Sequence, residues 1–103
     1  MGLKPLNEQE IAAFLAANPG HRSEGGALSK QYQFGTYADG VAFAVAVAMV
    51  AERRDHHPDI TIRWAKVSLV WSTHDAGGVT LLDAELSKAS DELARKHGAN
   101  EAT

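Results

Sequence analysis

Residues 35–58 read GTYADGVAFAVAVAMVAERRDHHP, and this stretch restricts the fold more than any other. Val41, Phe43, Val45 and Val47 alternate as in a strand, yet the length and alanine content favour a helix. A T-x-x-D box, Thr36 with Asp39, opens that helix, and Pro58 requires it to end beforehand. Its middle, 41–51, is apolar nearly all round. Eleven residues are too few to cross a bilayer, which takes about 20. The helix must therefore be buried in protein. One sheet covers only one side of it, so the second side is expected to meet a partner subunit. An alanine-rich helix left facing water is the alternative.

The flanking segments supply the layers. Asn7 with Glu10 forms an N-x-x-E box, followed by Ile11, Phe14 and Leu15 at helical spacing, so a short helix is expected over about 8–17. Gly25-Gly26 marks a turn. After it, Leu28, Lys30, Tyr32 and Phe34 point one way and Ser29, Gln31 and Gln33 the other, as in a strand, with HRSEGG as a weaker hairpin partner. The stretch ITIRWAKVSLVWSTH is the strongest strand region, with a break expected near 63–66. Thr80 with Asp83 opens a last helix on Leu82, Leu86, Ala89 and Leu93, and Gly98 suits its cap. The expected fold is one α+β domain over 1–103. An antiparallel β-sheet of about four strands has about three helices packed on one face, in the order α-β-β-α-β-β-α.

Composition narrows the function. A net charge of −3 argues against a nucleic-acid surface, and the absence of cysteine removes thiolate chemistry and cysteine-based zinc sites. The first ten residues lack an apolar signal core, so no membrane partner and a cytoplasmic location are expected.

Chemistry must then come from the histidines, of which there are five. His56 and His57 adjoin Pro58, and Glu52 lies four residues before His56, within reach of it if the helix still runs there. Pro58 turns His57 toward an extended conformation. His74 closes the long strand, and Asp83 stands at the third position of the last helix. If helix end, strand end and helix start meet at one sheet edge, three imidazoles and two carboxylates converge, which suits proton transfer near neutral pH. Simpler accounts stand beside this one. Histidines at a helix C-terminus complement its dipole, Asp83 can serve only as a cap, and His74 can be a surface turn residue. A metal site of His56, His57 and His74 is not expected, because adjacent histidines rarely point at one ion.

These residues resemble the signature of the pterin-4a-carbinolamine dehydratase family, also known as the dimerisation cofactor of a homeodomain transcription factor. Glu52, His56-His57-Pro58, Trp64, His74 and Asp83 match it at seven positions over 32 residues. KVSLVWSTHDAGGVTLLD also looks like the family's K-V-x-x-x-L-S-T-H, glycine turn and T/S-x-x-D helix start, and the likeness covers 28–95. The chain departs from it at Trp64-Ala65, at Gly20-His21 and at Trp71, which is bulkier than the usual leucine.

The resemblance implies dehydration of a 4a-hydroxytetrahydropterin to the quinonoid dihydropterin, without metal or other cofactor. It gives His56 and His74 the acid–base work and His57 a positioning role. Glu52 would orient His56 or bind the pterin's polar edge, and Asp83 would orient a histidine. Ser72 and Thr73 would line the pterin site, with Pro58 and Trp64 as further site residues. It also implies a homodimer or homotetramer formed through the helix at 41–51 and a sheet edge. Two other readings remain: an interaction module working through that helix, and a relative acting on another pterin, such as one of molybdenum cofactor metabolism.

Overall fold

The computed structural model describes residues 3–100. The elements follow the expected order: α1 (Glu8–Ala17), β1 (Arg22–Glu24), β2 (Ala27–Gln33), α2 (Tyr37–Arg54), β3 (Asp59–Arg63), β4 (Lys66–Ser72) and α3 (Leu81–Lys96), with one 3-10 turn at His74–Ala76. The local signals account for their limits. Asn7 and Glu10 exchange hydrogen bonds with each other's backbone N–H at 2.8 and 2.9 Å, Thr36 accepts from the Asp39 N–H, and Thr80 with Asp83 forms a second reciprocal box.

The four strands form one antiparallel sheet in the order β1-β2-β4-β3. The β2–β4 pairing is the non-local one, made possible by α2 crossing back over the sheet. Alternation then sorts the side chains. Leu28 and Tyr32 of β2 and Val67, Leu69 and Trp71 of β4 are buried under the helices, with Phe34 just beyond β2. Ser29, Gln31, Ser68 and Thr61 fall on the open, polar face.

Helix α2 buries Gly40, Phe43, Ala44, Val47 and Ala51, a stripe at helical spacing. The strand-like alternation of its valines is thus overridden by this packing. Gly40 permits the close approach to the sheet: a Cβ there would stand 3.3 Å from Val67 Cγ2 and 3.6 Å from the Phe34 ring. The opposite side carries Val45 and Met49, 56% and 58% exposed. Leu86 and Ala94 of α3 complete the main core. Helix α1 closes the other end through Ile11, Phe14 and Leu15 against Leu28, Val79 and Ala84. No described helix is long and apolar enough to cross a membrane.

Candidate active site

The end of α2 decides how the paired histidines are presented. Asp55 leaves the helix in the left-handed conformation (φ 49°), its N–H bonding the carbonyls of Ala51 and Glu52. The His56 N–H then returns to the Ala51 carbonyl at 3.1 Å. This is a Schellman-type termination with aspartate where glycine is commoner. It takes His56 off the helix, and Pro58 keeps His57 extended before β3 begins at Asp59.

The expected contact between Glu52 and His56 is therefore not made. That pairing needed His56 to be helical, one turn beyond Glu52. Instead the Glu52 Oε1 accepts from His57 Nε2 at 2.8 Å, on the surface, with side chains 76% and 57% exposed.

His56 turns inward to α3. Its Nε2 lies 2.6 Å from Asp83 Oδ1, with Asp83 fully buried and the imidazole 13% exposed. The other carboxylate oxygen, Oδ2, accepts the Thr80 N–H at 2.9 Å and the Thr73 hydroxyl at 2.8 Å. The Thr80 hydroxyl lies 3.0 Å from that of Thr73 and 3.3 Å from the same oxygen. As a carboxylate Asp83 only accepts, and in that form the His56 Nε2–H is the donor between them. Asp83 thus caps α3 and aligns the imidazole with the two halves of one carboxylate. The imidazole also stacks on Trp71, with centroids 6.1 Å apart and planes 12° from parallel. Trp71 is 2% exposed, and its indole N–H has no partner among the described residues.

His74 opens the 3-10 turn directly after Thr73, so it is the chain neighbour of a residue bonded to Asp83. Its imidazole is exposed. Ser72, Thr73 and His74 line a cleft of about 280 Å³ whose far wall is the two glycine turns, Gly25-Gly26 and Gly77-Gly78. The end of α2, the end of β4 and the start of α3 meet through His56, Thr73 and Asp83, whereas Glu52, His56 and His57 are not among the residues that line the cleft of His74. Pro58, half-buried, holds the entry to β3.

Trp64 is not brought there. It occupies the β3–β4 turn with φ 53° and 70% exposure. The site lies at the opposite end of that hairpin, where Asp59 faces Val70. Four strand steps separate the two ends, about 13 Å. The family resemblance placed Trp64 among the site residues, and the hairpin carries it away from the histidines.

Sequence reasoning did not anticipate three features: the Trp71 stack, the Thr73 hydroxyl serving Asp83, and a second buried network. In the last, Asp91 accepts from His21 Nε2 at 2.9 Å, the Tyr32 hydroxyl at 2.6 Å and Lys30 Nζ at 3.1 Å. Burial pushes the Asp91 carboxyl up, but the hydrogen bonds from His21, Tyr32 and Lys30 outweigh it and hold the group below the usual carboxylate range. Burial, with the Asp91 charge added, drives the Tyr32 hydroxyl far above its ordinary value. Asp91 is eight residues beyond Asp83, about 12 Å along α3, so this network ties α3 to β2 rather than joining the site.

Fold and site together define a class: a helix-backed antiparallel sheet carrying a buried histidine–carboxylate pair at one edge. Comparison with known proteins gives the class its family. The family model described as pterin 4 alpha carbinolamine dehydratase matches residues 4–93. A Roseiflexus castenholzii protein named as a candidate pterin-4-alpha-carbinolamine dehydratase is 44% identical over 88 residues, covering 85% of this chain and 95% of its own. A Streptomyces coelicolor protein of the same name is 41% identical over 101 residues, covering 97% and 100%. Among solved structures, a transcriptional coactivator/pterin dehydratase from Brucella melitensis superposes with a TM-score of 0.84 at 27% identity, covering 88% of this chain and 99% of that one. A pterin dehydratase-like protein described as a RuBisCO assembly factor in the alpha-carboxysome shares the fold, with a TM-score of 0.61 at 24% identity over 72% of this chain and 86% of its own. This chain belongs to the pterin-4a-carbinolamine dehydratase family.

Proposed function

We propose that this protein dehydrates a 4a-hydroxytetrahydropterin to the quinonoid dihydropterin by histidine acid–base catalysis. The observation that carries the reading is the 2.6 Å bond between His56 and the wholly buried Asp83. The reaction needs one proton delivered and one removed. The C4a hydroxyl leaves as water after protonation, the N5 proton is lost to a base, and a C4a=N5 double bond remains. No electrons change hands, so the balance calls for no redox partner. With Nε2 committed to Asp83, His56 offers Nδ1 for transfer, and His74, on the cleft side, supplies the second group. His57, held by Glu52, grips the polar edge of the pterin, and Ser72 lines its cleft. The pterin product feeds recycling of a tetrahydropterin cofactor for aromatic amino acid hydroxylases in the cytoplasm.

The exposed Val45–Met49 side of α2 supports a second element of the reading, self-association of the chain into a dimer or tetramer. The test of the activity is turnover of a 4a-hydroxytetrahydropterin by His56→Ala and His74→Ala proteins. Each is expected to lose roughly 10²–10⁴-fold in kcat. Full rates in both, with folding intact, overturn the assignment and leave an interaction module as the better account.

A further inference from the structure

We propose that Trp71 is a positioning residue for His56, backing the imidazole from its face so that Asp83 and the indole together leave only Nδ1 turned to substrate. The inference rests on the reading of His56 as a proton-transfer group. His56 stands on the irregular segment between α2 and β3, outside any regular hydrogen-bond ladder. A single bond at Nε2 fixes one ring atom but lets the ring rock about the line from Cβ to that atom. A near-parallel aromatic plane prevents that motion. The 6.1 Å separation and 12° angle fall within offset stacking.

Trp71 is itself rigid. It sits in β4 opposite Leu28 of β2, and it belongs to the main core. Its buried indole N–H has no partner among the described residues. A leucine or phenylalanine there would bury no unpaired donor, so the indole carries a polar cost that the stack against His56 helps to offset. A flat π face also favours the imidazolium that forms during proton transfer. The charged groups around His56 are Asp83 from α3, in contact, and its chain neighbours Asp55 and His57 with the latter's partner Glu52. The Arg54–Glu85 pair bridges α2 and α3 nearby on the surface.

The experiment compares Trp71→Leu and Trp71→Phe in turnover of a 4a-hydroxytetrahydropterin, with emission of Trp71 as the second readout. Trp71→Leu is expected to lower kcat roughly 10–100-fold while KM stays within about threefold, and Trp71→Phe, which keeps a flat face, to retain at least about a third of kcat. The chain has two tryptophans, so Trp64→Phe leaves Trp71 as the sole indole. A histidine stacked on an indole quenches it, so His56→Gln is expected to raise the emission of Trp71 at a fixed pH. Unchanged kcat in Trp71→Leu, a loss in Trp71→Phe equal to that in Trp71→Leu, or an emission left unchanged by His56→Gln overturns the proposal. If Trp71→Leu does not fold, the phenylalanine variant and the emission change decide. A failure of the acid–base reading itself is distinguishable: His56→Ala then keeps its rate while the emission change on replacing His56 persists.

Discussion

Asp83→Asn separates the two duties of one carboxylate. Asparagine keeps the shape. Its single carbonyl oxygen is best spent on the Thr80 N–H and the Thr73 hydroxyl, now received by Oδ2 at 2.9 and 2.8 Å, because an unpaired backbone N–H at a buried helix start is costly. The amide NH₂ then faces His56 at the 2.6 Å contact. Two donors cannot share that contact, so the imidazole must give up its Nε2 proton and carry it on Nδ1. The ring atom turned to substrate is then a donor in the neutral state rather than a base. The expected result is a kcat lower by roughly 10²–10⁴-fold, the scale of a wrong tautomer or a lost proton-transfer group, with stability within about 1 kcal/mol of the parent because the cap survives.

Asp83→Ala differs on both counts. It removes the acceptor of the buried Thr80 N–H, which is its part of the cap, worth about 1–3 kcal/mol. A loss of that size corresponds to roughly 5–25 °C in melting temperature for a chain of this size. Steady-state kinetics, thermal melts and nitrogen chemical shifts of His56 read the three quantities. Asp83→Asn with more than about a third of parental kcat and its proton still on Nε2 refutes the reasoning. So does an asparagine variant as unstable as the alanine one.

Asp91→Asn is expected to cost about 3–5 kcal/mol at pH 7, since it uncouples a carboxylate that binds His21, Tyr32 and Lys30. Because the folded-state carboxyl lies below its ordinary value, its contribution is present above about pH 4 and is lost as pH falls through the folded value. Urea denaturation of both proteins at pH 7 and near pH 3 checks this, and a gap that does not narrow in acid contradicts it. Trp64→Gly relieves a positive φ at an exposed turn, so stability should rise or stay within about 1 kcal/mol. A larger loss in thermal melts means the indole packs. Val45→Glu with Met49→Glu should yield monomers in light scattering with the far-ultraviolet spectrum unchanged. An unaltered particle mass excludes α2 as the self-association surface.

The chain's order of elements was legible in its sequence because the signals for it are local. A box such as Asn7 with Glu10 acts across three residues, Pro58 acts on its neighbour, and alternation in Leu28–Phe34 needs only the pleat of one strand. The histidine motif was legible too, as a set of residue types at fixed spacings. Which partner each took was not. Glu52 was expected on His56 because a continuous helix places residues four apart in contact. The turn at Asp55 that breaks this depends on aspartate accepting a left-handed conformation, which its type allows but does not require. Trp64 fitted a spacing and fell at the wrong end of a hairpin. His56 meets Asp83 across 27 positions and His21 meets Asp91 across 70, separations at which no local rule operates. Those pairings arise from the β2–β4 register and from the seating of α3 over the sheet. Local hydrogen bonding set the elements; the packing of a buried core chose the contacts that make the site.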